Sequence, residues 1–332
     1  MKTLAFSAAT MALAFAPTVP AFAETPNEIV EGAPAGDWTE IPADDILIMT
    51  LAPDAAGKPR EVVVQLFPAP WSSAWTHNIR ALAKAHWWDG MSVYRSVDNW
   101  VVQWGEGDVE TPKALPETMK LTSPEGYSLA WHKGLVDTLW SASGRRTAEQ
   151  RAKPRVASGS HFADPYAPAF GYVNGLPVAS DLVTQGDISR PAAIWPVHCY
   201  ASVGVARGLT PDAGNGAELY TVIGHAPRQL DRNIAVVGKI IAGIEHLSIL
   251  PRGTGDAGVY ETLAERTPIV SIRMAGELSE SERPRFRVMN TDSDSFARWV
   301  EAKANRKDAF YSIPVGGADV CNLPVPVKPV TG

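Results

Sequence analysis

The chain has 332 residues, 45% of them hydrophobic and 20% charged, an ordinary balance for a folded protein with a sizeable core. Its net charge of −6 and pI near 5.7 argue against a nucleic-acid partner, which would want a basic face. At the start, Lys2 precedes an apolar run over 4–15, followed by Pro17, Pro20 and Ala21-Phe22-Ala23. A charged start, a short apolar core and a small-x-small site predict a secretory signal peptide over 1–23. The run is too short to cross a bilayer, and no second long apolar segment follows, so no membrane span is expected. The mature chain is expected to begin near Glu24 and to be periplasmic or secreted. Export gives meaning to Cys199 and Cys321: in an oxidising compartment, two cysteines make one bridge. A pair of unrelated buried thiols is the alternative.

Residues 24–43 are acidic and rich in Pro and Gly, and read as a flexible lead-in. Two apolar strands over 46–51 and 61–67, separated by a loop at 53–57, form a hairpin. Ser72 or Ser73 can cap a helix that places Trp75, Ile79 and Leu82 on one face. Trp87-Trp88-Asp89-Gly90 then turns the chain into the most informative stretch, 91–108. It reads as two short strands joined by a polar turn at 96–99, with Arg95 ending the first and Gln103 inside the second. Residues two apart in a strand share a face, so Val101 and Gln103 point one way, and Trp100, Val102 and Trp104 the other. An arginine and a glutamine on a surface edged by aromatics suit peptide binding.

Tyr94-Arg95-Ser96-Val97 and Trp100-Val101-Val102-Gln103-Trp104-Gly105 resemble, with several substitutions, the central motif of cyclophilins, Phe-His-Arg-Val-Ile-x-x-Phe-x-x-Gln-Gly-Gly-Asp. Cyclophilins are peptidyl-prolyl cis-trans isomerases. Hairpin, helix, Asp-Gly turn and Arg-bearing strand is also the opening order of their barrel. Residues 109–197 show no lasting period, with a helix expected around 135–142 and a loop at 164–168; the family joins these strands more briefly, so this is an insertion. Regular structure returns at 200–207. Asn215-Gly216-Ala217-Glu218-Leu219-Tyr220-Thr221-Val222-Ile223-Gly224 resembles the family's Asn-x-Gly-Ser-Gln-Phe-Phe-Ile. Leu230-Asp231 with the strand 234–240 resembles its Leu-Asp and Val-Phe-Gly-Lys-Val segment, and a helix is expected over 241–250. Beyond 255 come a strand at 268–274, a helix capped by Ser293 or Asp294 that carries Phe296, Trp299 and Val300, and a last strand at 310–314.

The resemblance implies a mainly β fold: a closed barrel over 44–255 with two flanking helices, the insertion 109–197, and an α/β extension over 256–332. That extension is too small and polar to fold alone and is expected to pack on the barrel. A bridge between Cys199 and Cys321 would tie it there. The implied activity needs little covalent chemistry, because the barrier of about 18–20 kcal/mol comes from amide resonance. A catalyst holds the proline in an apolar pocket and stabilises the twisted amide. A guanidinium suits this, since it stays charged and can donate to the prolyl nitrogen as its lone pair appears. Arg95 is the expected catalytic residue, with Gln103 hydrogen-bonding the substrate backbone. By resemblance, Trp100, Val101, Tyr220 and Leu230 line the pocket, and Ala206 and Arg207 touch the residues before the proline. Two positions depart from the family: Gln229 replaces a tryptophan and Ile234 a pocket histidine. They leave open a rival reading, a non-catalytic peptide-binding or chaperone module. The expected partners are proline-containing peptides and unfolded exported proteins, with no cofactor. Gly253-Thr254-Gly255-Asp256-Ala257-Gly258 matches a nucleotide fingerprint only in letters, because it follows a helix rather than a strand. The seven histidines show no metal-ligand spacing.

Overall fold

Residues 24–43 do not form the expected flexible lead-in. In the computed structural model they contribute helix α1 (Pro26–Gly32) and strand β1 (Trp38–Glu40). Thr25 and Glu28 cap α1 reciprocally, each side chain accepting from the other's backbone N–H. Ile29, Ala33, Trp38 and Ile41 are all buried, and that apolar surface outweighs the local Pro and Gly. The structure describes residues 24–107, 110–136, 139–141, 164–186, 188–308 and 310–330; the signal peptide expected at 1–23 lies outside them.

The hairpin is β2 (Ile46–Leu51) and β3 (Arg60–Leu66), and its near-continuous apolar runs are buried on both faces. Leu47, Met49, Leu51, Val62, Val64 and Leu66 enter one core, while Ile46, Ile48 and Val63 enter a second. After α2 (Ser73–Lys84) come β4 (Ser92–Ser96) and β5 (Val101–Gly105). Trp75, Ile79 and Leu82 of α2 pack into the first core, as the helical spacing predicts. Ser72 precedes the helix without capping it; its hydroxyl donates to the Val236 carbonyl instead.

The insertion holds β6 (Leu129–Ala130), β7 (Leu139–Ser141), β8 (Ala169–Val173), β9 (Leu176–Gln185) and β10 (Ile188–Pro196). They form a five-stranded sheet in the order β6-β10-β9-β8-β7. The helix expected around 135–142 is therefore wrong where it can be judged, since 139–141 pair with β8. So short an apolar run cannot separate helix from strand. The long strand β9 is buried over its first half and exposed over its second, so no single period marks it.

The barrel continues through β11 (Ser202–Val205), β12 (Leu219–Val222) and β13 (Val236–Ala242), followed by α3 (Glu245–Ser248) and β14 (Thr267–Met274). Pairing of β13 with β3 carries the strand to Ala242, leaving only four residues of the helix expected over 241–250. Eight strands close in the order β11-β12-β5-β4-β14-β2-β3-β13. The barrel does not end at 255: β14 is a stave between β4 and β2, with Ile269, Ile272 and Met274 inside. Arg273 of that strand grips Asp89 through two bonds of 2.7 and 2.6 Å.

Beyond the last stave the chain forms β15 (Phe286–Met289), α4 (Asp294–Ala304) and β16 (Val327–Pro329). β15 lies between β1 and β16, so the two ends of the described chain share one sheet. Ser293 caps α4 by accepting from the Phe296 N–H. Residues 310–314 are loop rather than a last strand, with Phe310 and Ile313 exposed. The second core joins Ile29 and Trp38 to Phe170 and Trp195 of the insertion and to Phe296, Trp299 and Leu323, all against the outer face of β2 and β3. Cys199 and Cys321 form a disulfide across 122 residues with Cα atoms 5.1 Å apart. Among the described residues no helix is long and apolar enough to cross a membrane.

Candidate active site

Alternation on β5 sends Val102 and Trp104 into the barrel and leaves Val101 and Gln103 on its outer face. Beside β5, β12 pairs Tyr220 with Gln103 and Val222 with Val101. Val101, Tyr220 and Val222 form a small apolar cluster, and Trp100, Ala206 and Ile234 pack on it. Trp100 was expected on the opposite face from Val101. It lies before the first residue of the strand, where alternation does not apply, and joins Val101 instead. Leu230 is not a member of the cluster; it stays half-buried in a 3₁₀ turn whose carbonyl accepts from the Ile234 N–H. Arg207 is half-buried, donating through Nε to the Asn233 carbonyl at 2.9 Å. Gln229, where the family's tryptophan is expected, is exposed.

Arg95 and Gln103 sit opposite one another on β4 and β5. Arg95 Nη1 donates to Gln103 Oε1 at 3.0 Å, and its Nε donates to the Ala257 carbonyl at 2.7 Å. These contacts hold the half-buried guanidinium through Nη1 and Nε. Gln103 Nε2 donates closely to the Tyr94 hydroxyl, which donates to Glu218 Oε2 at 2.8 Å. Burial, and then the neighbouring Glu218 charge, push the Tyr94 hydroxyl far above its ordinary pKa, so it stays protonated.

Under the cluster runs a second polar chain. Gly204 lies opposite Tyr220 on β11, and a Cβ there would come within 2.3 Å of the tyrosine ring. Glycine lets the ring lie across that strand. Its hydroxyl then meets His198 Nε2 at 2.8 Å, and His198 Nδ1 meets Asp231 Oδ1 at 3.0 Å. The carboxylate accepts, so Nδ1 carries a proton, and on a neutral imidazole Nε2 is the acceptor for the Tyr220 hydroxyl. Arg228 pairs with both Asp231 and Asp164 at 2.7 Å. Burial opposes the Arg228 charge, but the two carboxylates outweigh it and its pKa lies above the ordinary value. Asp164 belongs to the insertion, just before β8, so this network ties the insertion to Tyr220 of the cluster.

Glu218 and His198 escaped the sequence reading as site residues. Glu218 stands in a quoted segment with no role assigned to it, and His198 is only one of the seven histidines that lack metal-ligand spacing. Their partners lie 124 and 22 residues away in sequence. Among the described residues no His, Cys, Asp and Glu group is arranged to hold a metal ion.

No family model matches the chain, and neither does any curated protein sequence. Solved structures do. The structure of the cyclophilin AquaCyp293 from Hirschia baltica superposes with a TM-score of 0.62 at 18% identity, covering 92% of this chain and 97% of that one. A cyclophilin-type peptidyl-prolyl cis-trans isomerase from Cryptosporidium parvum matches at 12% identity and a TM-score of 0.34, covering 69% of this chain and 97% of that one. The same protein solved in the presence of the dipeptide Ala-Pro matches at 13% identity with the same score and coverage. The first of these likenesses, with the closed eight-stranded barrel, shows that the chain has the cyclophilin fold.

Proposed function

We propose that this cyclophilin-fold chain is a peptidyl-prolyl cis-trans isomerase acting on exported proteins. The observation that carries the reading is Arg95, its guanidinium held by Gln103 and the Ala257 carbonyl beside the cluster of Trp100, Val101, Tyr220, Ala206 and Ile234. A proline ring is apolar and fits such a cluster by the ordinary gain of about 25 cal/mol per Å² of apolar surface removed from water. As the X-Pro bond twists, resonance is lost and the prolyl nitrogen gains a lone pair. An N–H of Arg95 donates to it, a preorganised charge aimed at the transition state and already desolvated in part. Gln103 acts first by holding Arg95, and the second N–H of its amide remains for a substrate carbonyl. Binding and orientation suffice for the reaction, because no bond is made or broken.

Export rests on the signal-peptide pattern at 1–23, and the disulfide is at home in an oxidising compartment. Unfolded exported chains, with their slow X-Pro bonds, are the corresponding clients. The exposed Gln229 and apolar Ile234 favour, as a second reading, a barrel that binds proline peptides without turning them over. An isomerisation assay on short X-Pro peptides separates the two: accelerated exchange supports the enzyme, and binding without acceleration supports the binding module.

A further inference from the structure

Building on the isomerase reading of Arg95 and Gln103, we propose that Glu218, acting through Tyr94, is a positioning residue that sets which way the Gln103 carboxamide faces and thereby orients Arg95. Glu218 Oε1 accepts from the backbone N–H groups of Glu106 at 2.7 Å and Gly107 at 3.2 Å. Its Oε2 accepts from the Tyr94 hydroxyl at 2.8 Å. Gly105 makes the room: its φ is +145°, and a Cβ there would lie 2.4 Å from Glu218 Oε2. An ionised carboxylate only accepts hydrogen bonds, so the Tyr94 proton is committed to Glu218. The tyrosine oxygen is then the acceptor for Gln103 Nε2, which leaves Gln103 Oε1 facing Arg95 Nη1 at 3.0 Å. Each link decides the next. With the carboxamide flipped, its NH₂ would meet the guanidinium donor to donor.

The device depends on the charge of Glu218. Burial raises its pKa, and the Glu106 carboxylate adds to that, against the opposing pull of Tyr94 and the two backbone N–H groups. The other charged groups nearby are Arg266, 5.9 Å from the Tyr94 ring centre, Arg95 at the far end of the chain, and Lys113, whose backbone N–H holds Glu106 at 2.6 Å. A protonated Glu218 can donate to Tyr94, which frees the tyrosine proton to turn toward Gln103. The oriented state is therefore the ionised one: it is present above the Glu218 pKa and lost as pH falls through it.

The test tracks kcat/KM for a short X-Pro peptide together with the Gln103 carboxamide and Arg95 Nε resonances, from about pH 4 to about pH 8. The wild type should show one midpoint shared by the Glu218 carboxyl carbon, both sets of resonances and the acid limb of kcat/KM. In Glu218→Gln the two backbone N–H groups claim the new carbonyl, so the NH₂ faces Tyr94 and reverses the chain. That variant should lose about tenfold in kcat with a smaller change in KM, and its acid limb should vanish. Tyr94→Phe cuts the same link and serves if Glu218→Gln fails to fold. Gln103 and Arg95 resonances that ignore the Glu218 titration, or a folded variant that keeps the wild-type acid limb, overturn the proposal. A wild type that accelerates no X-Pro exchange defeats the isomerase reading instead, and the shared resonance midpoint alone then decides the relay.

Discussion

Among single residues, two polar chains hold the outer face of the barrel, a partly buried one ending at Arg95 and a buried one ending at Tyr220. The second has Arg228 at its centre, nearly fully buried between Asp164 and Asp231. Truncating one partner of a buried ion network leaves the others charged and unpaired, which costs far more than the pair contributes. Arg228→Ala should therefore destabilise the fold by about 3–5 kcal/mol in urea unfolding. A loss below about 1 kcal/mol, the level of a surface pair, would show that the network is solvated. The sequence made Arg95 and Gln103 readable because both lie in short strands eight residues apart, where spacing alone puts them side by side. It could not show that Tyr94 leans on Glu218 or that Arg228 reaches Asp164, because those contacts join strands and loops far apart in the chain.

At the scale of elements, legibility followed burial pattern. The hairpin β2–β3 and helix α2 were plain from apolar spacing, and their inner residues fill the barrel as that spacing predicts. The sheet of the insertion was not, since β9 changes from buried to exposed along its length and β10 has Pro191 at a register shift with β9. The bridge between Cys199 and Cys321 was expected from the cysteine count and the expected export, with unrelated thiols as the alternative, and the two sulfurs are joined. It joins the residue after His198 to a 3₁₀ turn beyond α4, so it fastens the C-terminal piece beside the Tyr220 network. A loop of 122 residues limits the stabilisation to about 4–5 kcal/mol in the chain-entropy picture. Free-thiol titration of the unreduced, denatured protein should find no reactive thiol, and reduction should lower the urea midpoint. Two titratable thiols would disprove the bridge.

At the scale of the whole molecule, three parts of the chain that the sequence kept separate share one framework. The segment before the barrel and the segment after it meet in the sheet β1-β15-β16, and both join the insertion in the second core. The C-terminal boundary read at 255 was misplaced, because a strand's membership of a barrel depends on which edges lack a partner, and local pattern does not contain that. β14 supplies the missing stave between β4, which carries Arg95, and β2. Deleting residues 256–332 should thus open the barrel and abolish cooperative unfolding, read by far- and near-ultraviolet circular dichroism in urea. A truncated chain that keeps a sharp transition would contradict this account of closure.

Arg95 is proposed to lower the barrier to X-Pro rotation. Exchange spectroscopy on a proline peptide reports the cis-trans rate and the peptide affinity in the same sample. Arg95→Ala should slow catalysed exchange at least about tenfold, roughly 1.4 kcal/mol of barrier, while the barrel keeps its unfolding midpoint and the peptide still binds. Catalysed exchange in Arg95→Ala equal to that of the wild type, at equal peptide occupancy, would contradict the account.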